Sequence, residues 1–119
     1  MSEYPAIEAV VDRYFQSLYA CDADSLKVLF DSKARVTGYY EGEYVHQSVS
    51  EYLGVIRKLS SPDMIGEDFD MQLISIEIQG ETALCKTDYL FEALRYKDFL
   101  TLIKVHDEWK IINKTFWHR

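Results

Sequence analysis

Positive charge is scarce in this sequence, and the basic residues it has lie scattered along the chain. The 119 residues include 13 Lys and Arg against 20 Asp and Glu, which gives a formal net charge of −7. Nucleic acids and anionic membranes attract proteins through clustered Lys and Arg. We therefore expect neither a nucleic-acid partner nor a membrane partner.

Long apolar runs, paired cysteines and low-complexity tracts are also missing. No apolar run reaches the ~18 residues of a membrane span, and residues 1–20 lack a basic start followed by an apolar core, so we expect a cytoplasmic protein. Cys21 and Cys85 lack CxxC spacing and are expected to be packing residues rather than a disulfide. The low numbers of proline (two) and glycine (five) argue against disorder. A length of 119 residues predicts one domain over residues 1–119.

Motifs for metal, phosphate or nucleophile chemistry are absent from the sequence as well. His46, His106 and His118 show neither HxH nor HExxH spacing, so no metal site is predicted. The sequence has no Gly-rich phosphate loop and no GxSxG motif. We therefore expect a protein that works without a cofactor.

The most regular stretch of the sequence is its C-terminal end, from Asp98 to Trp117. Both halves are apolar at nearly every position, and the polar segment 106–108 separates them, which predicts two strands joined by a short turn. Because neither face of this hairpin suits water, one face should cover a core or pocket. The other face should meet helices or a partner subunit.

Three helices are predicted in the first half of the chain. The first should run from near Ser2 to about Ala20, and Asp22 or Asp24 can cap a second, short helix over 25–30. The apolar stripe of the first helix recurs at helical spacing and consists of Ile7, Val10, Val11, Tyr14, Phe15, Leu18 and Tyr19.

A capping box marks the third helix, because Ser48 is followed three residues later by Glu51 just before an apolar run. This helix should span about 49–60. Six strands are predicted. The strand 34–40 forms a hairpin with a short return strand at 44–45, and the other four are 70–78, 82–94, 96–105 and 109–117.

Alternation within the strands predicts which side chains share a face. In the strand 70–78, Ile74, Ile76 and Ile78 should lie together. The corresponding face of the strand 82–94 should hold Ala83, Cys85, Thr87, Tyr89, Phe91 and Ala93. Helices first and a run of antiparallel strands later predict an α+β fold, with the helices on one face of a curved antiparallel sheet.

Spaced residues along nearly the whole chain form a pattern typical of one superfamily. They are Ile7…Tyr14…Asp22…Leu29-Phe30…Ala34, then Ile76…Gly80…Ala83, then Asp98-Phe99-Leu100-Thr101-Leu102…Trp109-Lys110-Ile111…Lys114…Phe116. With this pattern the chain resembles the nuclear transport factor 2-like superfamily, which includes ketosteroid isomerases, scytalone dehydratase and SnoaL-type cyclases. It is most similar to the group labelled putative lumazine-binding.

The resemblance implies a cone-shaped α+β fold, also described as cystatin-like or ketosteroid-isomerase-like. Three N-terminal helices would wrap a strongly curved antiparallel sheet whose open end holds a pocket. The outer face of such a sheet commonly pairs into a homodimer. A family label does not show that this chain binds lumazine, since one fold serves many functions.

Comparison with the ketosteroid isomerases disfavours their reaction here. Tyr14 falls on the catalytic tyrosine of that family, but the position of its carboxylate base falls on Gly38, which cannot take a proton. The oxyanion acid falls near Thr101, with Asp98 three residues away on the opposite strand face.

Tyr14 and Asp98 are nevertheless the candidate catalytic residues, each with a structural alternative. Tyr14 is either a core tyrosine with a satisfied hydroxyl or a hydrogen-bond donor inside the cone. Asp98 is either a structural acid paired with a turn amide or a lysine, or a pocket acid with a raised pKa that can serve as a general base.

Aromatic residues make up 14% of the chain, which suits a pocket for a flat ring compound and a bulky core equally well. Asn113 is a further candidate for a polar contact, although a solvated rim is an equal alternative. The candidate ligand-binding residues are Tyr14, Leu18, Tyr39, Tyr52, Tyr89, Phe91, Asn113 and Trp117.

Three hypotheses of function follow. The first is a homodimer that binds a small apolar or aromatic molecule in its cone. The second is a cofactor-free lyase, isomerase or cyclase with Asp98 as base and Tyr14 as donor. The third is an interaction module that binds a partner protein through the outer face of its sheet.

Overall fold

The computed structural model describes residues 2–119, which form three helices and six strands. The elements are α1 (Tyr4–Ala20), α2 (Ala23–Lys27), β1 (Phe30–Tyr40), β2 (Glu43–Ser48), α3 (Val49–Arg57), β3 (Met71–Gln79), β4 (Thr82–Phe91), β5 (Leu94–Val105) and β6 (Glu108–His118). Within residues 2–119, none of the helices has the length and apolar character needed to cross a membrane.

Local sequence signals explain where the helices begin and end. The Ser2 hydroxyl accepts a hydrogen bond from the Tyr4 amide at 3.2 Å, and α1 ends where Cys21 adopts a left-handed conformation. The Asp22 carboxylate caps α2 by accepting from the Ser25 amide at 3.1 Å.

The predicted capping box at the start of α3 is present. The Glu51 amide donates to the Ser48 hydroxyl at 3.1 Å, and the Ser48 amide donates to the Glu51 carboxylate at 2.9 Å. The helix ends at Arg57, three residues before the predicted end at residue 60.

The six strands form one sheet in the order β2-β1-β6-β5-β4-β3. Neighbouring strands are antiparallel except β1 and β6, which are parallel. The prediction of a fully antiparallel sheet was therefore wrong, and the sheet is mixed. Because α3 and four strands separate β1 from β6 in the chain, their pairing needs no tight turn.

The core lies between the helices and one face of the sheet. The apolar stripe of α1 and the apolar face of α3 pack there against alternate residues of β4 and β5. The buried positions of these two strands are Ala83, Cys85, Thr87, Tyr89, Phe91, Tyr96, Asp98, Leu100 and Leu102. We call this the inner face of the sheet, and the opposite face the outer face.

Two irregularities in the strands change which side chains share a face. The register of β3 shifts between Leu73 and Ser75, so Ile74 lies 56% exposed while Ile76 and Ile78 pack against the core. The predicted strand 82–94 is interrupted by a two-residue turn.

That turn consists of Glu92 and Ala93, which both have positive φ, at 51° and 64°. Positive φ at both central residues is what a two-residue hairpin requires. Ala93 therefore lies exposed in the turn rather than on the inner face with Phe91.

The parallel contact between β1 and β6 depends on a glycine. Gly38 pairs with Phe116, and a Cβ built on Gly38 would lie 2.1 Å from the Phe116 carbonyl oxygen and 2.7 Å from its ring. Gly38, on which the catalytic base of the ketosteroid isomerases falls in the sequence comparison, therefore has no room for a side chain.

Replacement of Gly38 by alanine should lower the free energy of unfolding by about 1–3 kcal/mol, because β1 and β6 must separate to admit the methyl group. Urea denaturation measures the change. Gly54→Ala, at a helical glycine with open space around it, is the control and should be neutral or stabilising. Equal stability of Gly38→Ala and the parent protein would contradict the close approach.

Candidate functional site

A cavity of about 310 Å³ opens on the inner face, between the sheet and α3. Its walls come from α1, α3 and five of the strands, and they are largely apolar. Six aromatic residues contribute to the walls: Tyr40, Tyr52, Tyr89, Phe91, Tyr96 and Phe116. The charged side chains among the described wall residues are Glu92 and Lys114.

Lys114 is the most unusual residue of this cavity, because its side chain is only 5% exposed. Its Nζ donates a hydrogen bond to the Tyr52 hydroxyl at 2.9 Å and lies 3.9 Å from Asp98 Oδ2. Removing an ammonium group from water is costly unless other groups replace its hydration. The surroundings of Lys114 must therefore provide that compensation.

Aromatic rings supply part of the compensation. The Nζ of Lys114 lies 4.7 Å from the ring centre of Tyr52, 5.2 Å from that of Tyr14, and 5.8 Å from those of Tyr89 and Phe116. The face of an aromatic ring attracts a cation at such distances. Four rings and one carboxylate thus hold a single positive charge.

Asp98 lies behind Lys114, on β5, and is buried at 3% exposure. Its Oδ2 accepts a hydrogen bond from the Tyr14 hydroxyl, which in turn lies 3.3 Å from the Tyr89 hydroxyl. Asp98 Oδ1 and the hydroxyl of its cross-strand partner Thr87 have no hydrogen-bond partner among residues 2–119. A proton on this carboxyl would turn one unpaired acceptor into a donor.

Burial shifts the acidity of these groups. Desolvation raises the pKa of Asp98 above its usual range, although Lys114 and the Tyr14 hydrogen bond oppose the shift. Desolvation also raises the pKa of Tyr14 and Tyr89, with the Asp98 charge adding to the effect. The pKa of each of these three groups therefore lies above its ordinary value.

The pKa of Lys114 moves in the direction that keeps its charge. Burial alone would lower this pKa, but the Tyr52 oxygen and the Asp98 carboxyl stabilise the ammonium and raise the pKa overall. Burial raises the pKa of Tyr52 itself. At neutral pH the cavity wall therefore presents an ammonium group beside a phenol.

The predicted ligand-binding residues divide into those that reach the cavity and those that do not. Leu18, Tyr52, Tyr89 and Phe91 line it. Tyr14 is fully buried behind the wall and hydrogen-bonded to Asp98, so the two candidate catalytic residues meet each other but not the cavity surface.

Tyr39, Asn113 and Trp117 do not line the cavity, and the predictions for these three residues need correction. Tyr39 lies between two inward-facing neighbours on β1 and is 53% exposed. Asn113 and Trp117 lie on β6 but do not share the inner face with the buried Trp109.

A bulge on β6 separates them from that face. Leu102 of β5 pairs with Ile111, but the preceding residue Thr101 pairs with Asn113, so Ile112 is the extra residue on β6. The extra residue reverses the facing of every later side chain.

The same bulge turns Lys114 inward, where it joins the buried residues. Lys114 and Glu92 line the cavity but were not among the residues predicted for the site. Regular alternation from Trp109 puts Lys114 on the solvent side, and a one-residue bulge leaves no mark in the apolar pattern. The signal that was present is a lysine inside the C-terminal strand, two residues after Ile112 and two before Phe116.

Metal ligands do not gather anywhere in the described part of the chain. Residues 2–119 contain no group of three or more His, Cys, Asp or Glu side chains placed to hold a metal ion. The ionisable groups at and behind the cavity wall are ammonium, phenol and carboxyl groups.

A family model for proteins described as putative lumazine-binding matches residues 2–117. The chain belongs to this family. Because the match covers nearly the whole sequence, both the inner-face cavity and the cluster around Lys114 lie within the region shared with the putative lumazine-binding proteins.

Solved structures of NTF2-like proteins share this fold. An NTF2-like protein of unknown function from Silicibacter pomeroyi is 24% identical, with a TM-score of 0.84 over 100% of both chains. One from Shewanella baltica is 22% identical, with a TM-score of 0.86 over 98% of this chain and 94% of that one. At these identities the likeness shows the fold alone.

One curated relative of this chain is named as an aldolase. It is aldolase FrzH from a Cladobotryum species, 27% identical over 117 residues, which are 97% of this chain and 90% of the relative.

The raised pKa of Asp98 predicts a characteristic pH dependence of stability. Because the folded protein holds this proton more tightly than the unfolded chain, Asp98 stabilises the fold most at low pH. That contribution is lost as pH rises from the ordinary value of 3.8 through the raised pKa.

The unfolding free energies of the parent protein and Asp98→Asn should therefore converge or cross as pH rises from about 4 to 7. The difference between the two free energies should change by an amount on the order of 1 kcal/mol over this range. Urea denaturation at several pH values measures the difference. Asp12→Asn, on the exposed side of α1, is the control. A difference that grows in favour of the parent protein with rising pH would contradict the assignment.

Proposed function

We propose that the cavity binds a small apolar or aromatic molecule whose oxygen atom lies against Lys114. The observation that carries this proposal is the buried ammonium in an otherwise largely apolar wall. Lys114 donates one of its three hydrogens to Tyr52, so others are available for an anionic or carbonyl oxygen of a ligand.

The size of the cavity limits the ligand. A volume of about 310 Å³ lies at the small end of ligand pockets, which span ~300–1,000 Å³. This volume suits a molecule of one or two rings. The family description names lumazine, a flat bicyclic compound with carbonyl oxygens, which meets both the size and the chemistry. In this proposal the sheet curves into a cone and the cavity occupies its open end.

2-Naphthol is a suitable probe, because it is a flat bicyclic molecule with one oxygen and its fluorescence separates the neutral and ionised forms. The parent protein should bind 2-naphthol and favour the naphtholate. Lys114→Met should weaken binding by about 10–100-fold, since a hydrogen bond to a charged group contributes ~1.5–3 kcal/mol.

Lys33→Met, at an exposed position of β1, is the matched control and should bind 2-naphthol like the parent protein. Equal affinity of Lys114→Met and the parent protein would overturn the proposal. Circular dichroism of each variant separates loss of binding from loss of folding.

A second candidate function is a cofactor-free lyase, isomerase or cyclase, with an aldol-type reaction as the form suggested by the aldolase relative. The raised pKa of Lys114 keeps it an ammonium, which stabilises an oxyanion but cannot attack a carbonyl. Asp98 and Tyr14 would then support Lys114 from behind the wall, because neither lines the cavity.

We also propose that the protein is a homodimer through the outer face of its sheet. This face exposes Ile74, Phe99 and Trp117, each at least half exposed in the single chain. Lys86 and Asp88 on the same face supply charges of both signs. A surface of mixed charge can match its own copy across a twofold axis.

Phe99→Lys should convert the dimer to a 14.0 kDa monomer, because a lysine at the centre of an apolar interface loses its hydration. Size-exclusion chromatography with light scattering measures the mass. Tyr4→Lys, an exposed aromatic position on α1, should remain dimeric. A parent protein that is monomeric would contradict the homodimer and leave the outer face available to a partner protein.

A further inference from the structure

Glu92 is the second charged residue of the cavity wall, in addition to Lys114, which binds the ligand oxygen in the proposed function. It lies in the turn between β4 and β5 and lines the same cavity as Lys114. Its Oε1 is buried and has no hydrogen-bond partner among residues 2–119. A buried carboxyl oxygen without a partner is costly, so its retention calls for an explanation.

Hydrogen bonds to Glu67 hold the turn that carries Glu92. The carboxylate of Glu67 accepts hydrogen bonds from the Glu92 amide at 2.9 Å and from the Ala93 amide at 2.6 Å. The Glu67 carbonyl oxygen accepts a further bond from the Tyr19 hydroxyl at 2.6 Å. The backbone of Glu92 is therefore anchored, and the direction of its side chain is set by a rigid hairpin.

The environment of Glu92 also suits proton transfer. Desolvation raises the pKa of this carboxyl, and the neighbouring Glu67 charge raises it further. A carboxyl group with a raised pKa is a stronger base once ionised and a better match to neutral pH.

We propose that Glu92 is the proton-transferring residue of the cavity, and that its substrates are carbonyl compounds with a C–H bond next to the carbonyl carbon. This inference rests on the proposed function, because the carbonyl oxygen is the atom that Lys114 binds. Glu92 and Lys114 are the charged groups of a largely apolar wall, which is the pairing that enolate formation requires.

The step balances without any further reactant. The Glu92 carboxylate takes the proton from the α-carbon, and the electron pair of the broken C–H bond forms the C=C bond. The π electrons of the C=O bond move to oxygen, where the Lys114 ammonium and the Tyr52 hydroxyl stabilise the enolate. In a substrate whose enolate is conjugated with a further C=C bond, delivery of the proton from Glu92 to the far carbon completes an isomerisation. Attack of the enolate carbon on a second carbonyl instead forms an alkoxide, which takes the proton from Glu92 and gives an aldol product.

2-Tetralone tests this inference, because it is the ketone that matches 2-naphthol in ring skeleton and oxygen position. In D₂O its α-protons exchange for deuterium, which proton NMR follows directly. The parent protein should accelerate this exchange over buffer. Glu92→Gln should lose about 10²-fold or more of the acceleration, the usual contribution of a general base.

The variant Glu92→Gln should still bind 2-naphthol with roughly the affinity of the parent protein, which also shows that it folds. Glu77→Gln, at an exposed position of β3, is the matched control and should exchange like the parent protein. Lys114→Met should lose both binding and exchange.

The possible results separate the two proposals. If the parent protein binds 2-naphthol but does not accelerate exchange, or if Glu92→Gln exchanges as fast as the parent protein, the inference on Glu92 is overturned and the binding proposal stands. If the parent protein fails to bind 2-naphthol, the proposed function itself fails. Loss of exchange in Glu92→Gln with binding retained supports both.

Discussion

The arrangement of this site depends on one buried positive charge. Lys114 enters the protein interior at the wall of a largely apolar cavity, where an ammonium group is stable only if protein groups replace water. The replacements are the Tyr52 hydroxyl, the Asp98 carboxyl and four aromatic rings. The aromatic residues of the inner face thus stabilise a cation as well as forming the core, which aliphatic side chains could not do.

Two local constraints bring these groups together. A one-residue bulge on β6 turns Lys114 inward, and the contact of Gly38 with Phe116 lets β1 lie directly beside β6. The Glu67 carboxylate similarly fixes the hairpin that carries Glu92. Together these constraints determine which charged groups face the cavity.

The sequence predicted the fold much better than the site, for a physical reason. Capping boxes and helical stripes are local signals, so α1 and α3 could be located from residues such as Tyr14 and Ser48. The facing of a strand residue depends instead on an exact count from a known neighbour. Tyr89 lies on a regular strand and reaches the cavity, whereas Asn113 and Trp117 follow a bulge and do not. Only tertiary pairing reveals such a bulge.

The proposed site requires Lys114 to be a charged ammonium inside the protein at neutral pH, and NMR of its labelled Nζ and Cε atoms measures this charge. The account predicts chemical shifts of an ammonium group that persist as pH rises to and beyond the ordinary lysine value of 10.5, and that move when 2-naphthol is added. Shifts of a neutral amine at neutral pH would contradict the account, because a neutral Lys114 could neither hold an anionic oxygen nor stabilise an enolate.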